Sequence, residues 1–234
     1  MDLRHSVALR VGLAAAAIAA VVAVVLLLDD AGRSAPPEQP LVCQDDATAL
    51  ISPLFDRRME DVALIGMERS PVMLHDLGGR RLTAVIFCSY RCPCSDGYID
   101  RLRDLRRSYE TQGVSFIAVN SNSDENFDGM QDYIDRKQYP LPVYRDDMTA
   151  VADMMYATVT PEVFVFDTAW TLQYHGRIDD DKSGLFVEEA SLQLALDTLL
   201  AGRELWDKEK LSLGCAIVRS HPLDTASTTL STTR

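Results

Sequence analysis

The chain has 234 residues, five of them cysteine, and a formal net charge of −12 at pH 7. Binding to nucleic acid phosphates needs a clustered basic surface, so this acidic balance argues against nucleic acid as a partner. The odd number of cysteines means that at least one thiol is free, paired with another molecule, or exchanging partners.

The N-terminal region contains an apolar run without charged side chains, residues 11–28. This length is just sufficient for a helix to cross the hydrocarbon core of a membrane. Arg4 and Arg10 precede the run and Asp29-Asp30 follow it, which favours an N-terminus inside the cell. A cleaved signal peptide is the alternative, although no clean cleavage site follows. We expect a single-pass protein of the cytoplasmic membrane, with its folded domain on the periplasmic or extracytoplasmic side.

Four segments are predicted along the chain. Residues 1–28 form the membrane anchor or signal, and residues 29–42 form a polar linker that contains prolines. Residues 43–202 form one α/β domain that begins with a lead-in helix and loop up to about residue 66. Residues 203–234 form a C-terminal extension with a Ser- and Thr-rich disordered tail.

The apolar periodicity predicts alternating strands and helices within the domain. This order predicts a mostly parallel sheet with an antiparallel hairpin at one edge and helices on both faces. Met154 and Met155 are expected in the core rather than at a metal. The predicted elements are a short strand and turn over 71–79, strands over 82–87, 114–120, 143–144, 162–166 and 171–175, and helices over about 96–112, 128–138, 149–156 and 187–201.

Three cysteines lie between the end of a predicted buried strand and the start of the next predicted helix. Cys88, Cys92 and Cys94 fall within seven residues, and Pro93 separates the last two. Unpaired N–H groups and the dipole at a helix N-terminus favour a thiolate over a thiol. This pattern indicates redox chemistry or metal binding rather than three small core residues.

The order of these features resembles the thioredoxin-like redoxin family, which includes the AhpC/TSA peroxiredoxins and the membrane-tethered TlpA-type thiol oxidoreductases. The resemblance covers about residues 66–202 and rests on the strand, the Cys92-Pro93 turn, the following helix, the strand Val114–Asn120, Thr160-Pro161 and the closing hairpin. It implies a thioredoxin-like fold without a bound cofactor. It also implies that Cys92 is the nucleophile and that Thr160-Pro161 is a cis-proline turn facing it.

The sequence departs from the family pattern at the second cysteine of the usual Cys-x-x-Cys motif. The residue three positions after Cys92 is Ser95, so the partner of Cys92 stays open among Cys94, Cys88 and Cys215. We prefer Cys94, although a Cys92–Cys94 disulfide would close a strained small ring that is easily reduced. The remaining pair, Cys43 and Cys215, is expected to form a structural bridge.

The sequence is consistent with three functions. The first is a membrane-anchored thiol–disulfide oxidoreductase that exchanges disulfides with protein partners. The second is a thiol peroxidase that reduces peroxides, with Ser89 as a hydroxyl near Cys92 and Arg177 as a helper, although we expect Arg177 mainly in a solvated salt bridge.

The third function is not enzymatic. The spacing of Cys88 and Cys92 also resembles the Cys-x-x-x-Cys-Pro turn of the SCO copper-assembly proteins, where two thiolates and a histidine bind Cu(I). The histidines of this chain nearest in sequence to such a role are His75 and His175, and both are better interpreted as packing or loop residues. No zinc site is expected, because no second cysteine or histidine pair lies at finger spacing.

Overall fold

A computed structural model describes residues 54–55 and 57–220 of the chain. The predicted membrane segment, the linker, most of the predicted lead-in helix with Cys43, and the end of the Ser- and Thr-rich tail lie outside the described residues. Within the described ranges, no helix is both long enough and apolar enough to cross a membrane.

The domain is organised around a seven-stranded mixed sheet. Its strand order is β2-β1-β5-β4-β3-β7-β8, and a separate two-stranded ribbon joins β6 to β9. The strands are β1 (Ala63–Gly66), β2 (Pro71–Met73), β3 (Leu82–Phe87), β4 (Val114–Asn120), β5 (Val143–Arg145), β6 (Val159–Thr160), β7 (Glu162–Asp167), β8 (Leu172–Gly176) and β9 (Cys215–Ala216).

The expected thioredoxin-like mixed sheet is confirmed, but the expectation that it is mostly parallel is wrong. Strand β4 runs parallel to β3 and β5, whereas β7, β8, β1 and β2 add antiparallel pairs on both sides. The difference arises because residues 63–66 form a strand, whereas the sequence suggested only a lead-in helix and loop there.

Strand β3 is the centre of the core because all six of its side chains are buried. Successive side chains of a strand point to opposite faces of the sheet. Leu82, Ala84 and Ile86 therefore enter one apolar cluster, and Val85 and Phe87 enter the other. Such two-sided burial requires cover on both faces, which explains the unbroken apolar run in the sequence.

The part of the chain that the structure describes contains five α-helices: α1 (Pro93–Asp96), α2 (Ile99–Tyr109), α3 (Phe127–Lys137), α4 (Ala150–Met154) and α5 (Ser191–Leu200). Buried residues of α2, α3 and α5 pack into the first cluster, and α4 packs into the second, so helices lie on both faces as predicted. Met155 is fully buried and Met154 packs against the same cluster, which confirms the core assignment of both methionines.

The helix boundaries follow local backbone chemistry. Gly113 adopts a left-handed conformation at φ 93° after the short 3-10 turn that follows α2, as its predicted role at the helix end requires. The side chain of Asn126 accepts a hydrogen bond from the N–H of Gly129 and caps α3. The prediction of a helix over 187–201 is too long, because regular helix begins only at Ser191.

The C-terminal extension is part of the folded domain as far as residue 220. The backbone of His175 in β8 pairs with Lys208 and Lys210, each at 2.9 Å. Strand β9 then pairs with β6, with Cys215 opposite Thr160. The side chain of Ile217 is buried in the second apolar cluster. The chain therefore returns across the domain and brings its last cysteine to the strand that precedes Pro161.

Candidate active site

Cys92 lies in the turn between β3 and α1. It is the N-cap residue of α1, in extended conformation at φ −87° and ψ 112°, and Pro93 occupies the first helical position. Proline suits this position because its fixed φ matches a helix and the missing N–H would be unpaired there. The predicted cis peptide bond between Thr160 and Pro161 is confirmed. The carbonyl oxygen of Thr160 lies 3.1 Å from the sulfur of Cys92.

The donors around the Cys92 sulfur favour its charged form. The thiol of Cys215 is the strongest of these donors and lowers the pKa of Cys92. Burial acts in the opposite direction, while the Thr160 side chain and the N–H groups of Ser95 and Cys215 lower the pKa further. The Thr160 carbonyl can accept a hydrogen bond only from the neutral thiol, so it favours the neutral form of Cys92. The several donors around the sulfur outweigh this single acceptor. The net result is a pKa below the ordinary cysteine value.

This stabilisation differs from the one that the sequence suggested. The helix that follows Cys92 has only four residues, Pro93–Asp96, because it ends at Gly97 and α2 begins only at Ile99. The dipole of so short a segment contributes little, since the macrodipole is a sum over aligned peptide units. The Ser95 N–H supplies one local donor of the kind that the sequence suggested, and donors of Thr160 and Cys215, from a distant part of the chain, add to it. The opposite effect appears at Cys215, whose hydrogen bond to Cys92 raises its pKa and keeps it a thiol.

The structure brings together three of the four candidate cysteines. The sulfurs of Cys92, Cys94 and Cys215 all lie within 4.8 Å of one another, and the three residues are buried. Cys92 and Cys215 are free thiols, whereas the sulfur of Cys94 is engaged in a disulfide. The expected structural bridge from Cys43 to Cys215 is therefore wrong.

Cys88 belongs to a different environment. Its side chain packs in the first apolar cluster, beneath the sheet face that α2 and α3 cover, and not with the other three sulfurs. Burial, followed by the nearby carboxylate of Glu125, raises its pKa well above the ordinary cysteine value. A side-chain hydrogen bond with Tyr139 lowers the pKa of Cys88, but burial and Glu125 outweigh it, so Cys88 is a neutral core thiol.

A buried glutamate that sequence reasoning missed organises the loop from Cys88 to Cys92. The Glu125 carboxylate accepts hydrogen bonds from the hydroxyl of Ser89 and from the N–H groups of Tyr90 and Arg91, the latter two at 3.1 Å and 3.3 Å. The side-chain amide of Asn120 donates a fourth bond. Burial raises the pKa of Glu125, and these donors oppose the rise. No signal in the run SNSDENF distinguishes this carboxylate from its exposed neighbours.

The side chains considered for peroxide or copper chemistry have other partners. Ser89 donates to Glu125, and Arg177 forms the expected ion pair, with Glu189 at 3.0 Å. Both ring nitrogens of His175 contact carboxylates, Nε2 with Glu162 at 2.7 Å and Nδ1 with Glu209 at 2.8 Å.

His75 lies elsewhere in the fold. Its ring stacks on Trp170 with centroids 4.3 Å apart, and its Nδ1 lies 3.8 Å from a carboxylate oxygen of Asp61. Neither His75 nor His175 is a member of the sulfur group.

A cavity of about 190 Å³ opens beside the proline turn. Its wall includes Pro161, Leu213, Tyr98 and the acidic loop Asp179–Lys182. Pro161 follows the residue whose carbonyl contacts Cys92, and Leu213 lies two residues before Cys215. The lining thus includes near neighbours in sequence of Thr160 and Cys215, but none of the three buried cysteines.

A lowered-pKa cysteine opposite a cis-proline turn, on a thioredoxin-like sheet, defines a thiol-dependent oxidoreductase. The family model described as Redoxin matches residues 55–193, which is more than half of the chain. The chain belongs to the Redoxin family.

Solved structures with the same fold come from several bacteria. An uncharacterised conserved protein from Geobacillus kaustophilus is 29% identical with a TM-score of 0.67, and the match covers 78% of this chain and 98% of that one. A hypothetical protein from Sinorhizobium meliloti is 25% identical with a TM-score of 0.65, over 77% and 100% of the two chains.

The peroxidoxin BcpB from Mycobacterium tuberculosis is 18% identical with a TM-score of 0.50, over 63% of this chain and 96% of that one, and shows the fold alone. No curated protein sequence matches this chain.

Proposed function

We propose that this redoxin exchanges disulfides with protein partners through Cys92 and Cys215. The observation that carries the proposal is the proximity of these two buried free thiols, whose sulfurs lie within 4.8 Å of each other, and the lowered pKa of Cys92 agrees with it. A nucleophile that already lies beside a second thiol has its resolving group in place. We therefore assign the resolving role to Cys215 rather than to Cys94, the preferred candidate from sequence spacing.

The exchange runs in two displacement steps. The Cys92 thiolate attacks one sulfur of a partner disulfide, the partner S–S bond breaks, and the departing sulfur takes up a proton. This leaves a mixed disulfide between Cys92 and the partner. Cys215 then loses its proton and attacks the Cys92 sulfur, which releases the second partner thiol. The partner gains two electrons and two protons, and the protein is left with a Cys92–Cys215 disulfide.

The site supports disulfide exchange better than peroxide reduction. Peroxidases of this family are expected to place a hydroxyl and an arginine at the nucleophile. Here the hydroxyl of Ser89 is bound to Glu125 and the guanidinium of Arg177 to Glu189. The backbone carbonyl of Thr160 faces Cys92 instead, and the next residue, Pro161, lines the cavity to which we assign the extended partner peptide.

The proposed setting is the outer side of the cytoplasmic membrane. Its support is the apolar run 11–28, with basic residues before it and acidic residues after it. A tethered domain there would meet exported proteins whose cysteines form disulfides.

Trapping of the mixed disulfide tests the assignment. The reduced full-length protein would be mixed with a disulfide-bonded model protein, quenched with acid, and mapped by mass spectrometry. We expect Cys215→Ser to accumulate a mixed disulfide at Cys92, while wild-type protein accumulates the Cys92–Cys215 bond. Cys88→Ser is the matched control and should behave as wild type. Rapid release of the partner by Cys215→Ser, with a new Cys92–Cys94 bond, would overturn the assignment of Cys215.

A further inference from the structure

The sulfur group has a property that disulfide exchange does not use. Exchange needs two sulfurs, and the structure gathers three, from Cys92 and Cys94 at the start of α1 and from Cys215 in β9. Their exposed fractions are 1%, 1% and 3%. Two segments more than a hundred residues apart in the sequence therefore bring three buried sulfurs together.

The spacing of the sulfurs matches a metal coordinated by three thiolates. Metal–thiolate bonds are about 2.3 Å long, so three sulfurs arranged in a plane around one ion lie about 4.0 Å apart. The observed group, with every sulfur within 4.8 Å of the others, needs only a small contraction to reach this geometry. We propose that the reduced protein binds one Cu(I) ion between Cys92, Cys94 and Cys215.

The ligand set selects the metal. Thiolates are soft ligands and favour Cu(I), Zn²⁺ and iron–sulfur clusters over harder ions. Structural zinc sites take four protein ligands, whereas the described residues supply three, and no histidine or carboxylate among them joins the group. Cu(I) accepts low coordination numbers, so a three-sulfur site suits it without a further ligand.

The redox state of Cys94 controls the site. Its sulfur is engaged in a disulfide in this structure, so the third ligand forms only on reduction. A dithiol reductant supplies the two electrons and two protons that convert this disulfide to thiols, and is itself oxidised to a disulfide. Cu(I) then displaces protons from the coordinating thiols into solvent. A partner disulfide that oxidises Cys92 and Cys215 is itself reduced to two thiols, and the resulting Cys92–Cys215 bond removes two ligands and releases the ion.

This site differs from the copper site that the Cys88 and Cys92 spacing suggested. Cys88 packs in the apolar cluster on one face of the sheet, and the ring nitrogens of His175 are bound to Glu162 and Glu209. The proposed site uses the Cys-Pro-Cys turn and the C-terminal cysteine.

A competition titration distinguishes the two copper sites. Full-length protein, reduced with a phosphine or dithiol and kept anaerobic, would be titrated into Cu(I) held by a chromophoric chelator. We expect wild-type protein to remove one equivalent, and Cys88→Ser to do the same. Cys94→Ser and Cys215→Ser should each bind at least about tenfold more weakly. Protein reoxidised before the titration should leave the chelator complex intact.

Two results would overturn the proposal. One is a reduced wild-type protein that fails to withdraw Cu(I) from the chelator, and the other is loss of binding in Cys88→Ser with retention in Cys215→Ser. X-ray absorption of the copper-loaded wild type provides a test that no variant can confound by misfolding. We expect a sulfur-only shell, and a nitrogen ligand in that shell would contradict the site. Disulfide exchange by the metal-free protein is measured separately, so either property can fail alone.

Discussion

At the scale of single residues, the chemistry depends on the different surroundings of cysteines that are close in sequence. Cys88 and Cys92 are four positions apart, yet one is in an apolar cluster and the other faces hydrogen-bond donors. Burial raises the pKa of Cys88, and the thiol of Cys215 lowers the pKa of Cys92. Since the thiolate is the reactive form of a cysteine, the lowered pKa favours reaction at Cys92 over reaction at Cys88.

Alkylation of the reduced, metal-free protein measures this difference. Iodoacetamide should modify Cys92 before Cys88, and should still do so at pH values below the ordinary cysteine pKa of about 8.5. The sign follows from the lowered pKa, because a group with a lower pKa keeps its thiolate to lower pH. Cys215→Ala removes the main donor, so the pH profile of Cys92 should move upward. Faster labelling of Cys88 than of Cys92 in the folded protein would contradict the proposed electrostatics.

The sequence predicts part of the group around Cys92 but not all of it. The resemblance to redoxins implies both that Cys92 is the nucleophile and that Thr160-Pro161 is a cis-proline turn facing it, and the cis bond is confirmed. The nearness of Cys215 and the role of Glu125 depend on contacts between distant segments. Local periodicity carries no information about such contacts.

At the scale of structural elements, the ribbon of β6 and β9 sets the distance between the two free thiols. Cys215 pairs with Thr160 in this ribbon, and Gly214 precedes it at a point of close backbone approach. A Cβ atom on residue 214 would lie 2.2 Å from the carbonyl oxygen of Thr160, the same atom that contacts Cys92. A glycine is required there because any side chain would push the two strands apart.

Gly214→Ala should therefore separate Cys215 from Cys92. We expect a loss of stability of about 1–3 kcal/mol, as for other overpacked sites, and slower formation of the Cys92–Cys215 disulfide. Urea unfolding and peptide mapping after limited oxidation measure the two effects. Gly79→Ala is the control, since its Cβ would lie 2.0 Å from the Leu82 carbonyl oxygen, away from the thiols. The control should lose stability but keep the mapped disulfide, and an equal defect in both variants would contradict the role of Gly214.

A second contact between structural elements is made by His175, which links β7, β8 and the C-terminal segment. Its ring lies between Glu162 and Glu209 and stacks on Phe164 with centroids 4.3 Å apart. Burial alone would lower the pKa of His175, but the two carboxylates outweigh it and raise the pKa above the ordinary value. The protonated ring thus bridges the residue after Pro161 to the segment that leads to Cys215.

The stability of the domain should reflect this bridge. Because the folded pKa of His175 is raised, its contribution is fully present below the unfolded pKa of about 6.5 and is lost as pH rises through the folded pKa. His175→Gln should remove about 2 kcal/mol at pH 6, the scale of hydrogen bonds to charged groups. It should also flatten the decline of stability above that pH. Urea unfolding across pH measures both effects, with His75→Gln as a control that should keep the decline. A wild-type curve that rises through this range would count against the bridge.

At the scale of the whole molecule, the sequence predicted the centre of the domain well and its borders less well. Strands over 82–87 and 114–120 have the predicted bounds, because a buried strand is an apolar run that local sequence makes visible. The sequence predicts a C-terminal extension over residues 203–234, whereas its described part, residues 203–220, pairs with the domain. They are held by backbone pairing and by single buried side chains such as Ile217, which leave no periodic signal.

Truncation tests whether the C-terminal segment is structural. Its attachments include hydrogen bonds from Ile217 N to Thr158 O at 2.9 Å and from Ser123 N to Val218 O at 2.8 Å, and an ion pair between Arg219 and Asp153 at 2.8 Å. A chain that ends at residue 202 loses all of these contacts and exposes the apolar surface under Ile217.

We expect this shorter chain to lose at least about 3 kcal/mol of unfolding free energy, as for removal of buried aliphatic groups. A chain that ends at residue 220 keeps the contacts and should unfold like the full protein. Circular dichroism in urea is the suitable measurement, because Trp206 is absent from the shorter chain and fluorescence would not compare the same probes. Equal midpoints for the two truncations would mean that the domain is complete at residue 202. In that case Cys215 would be brought to Cys92 by a segment that the fold does not need.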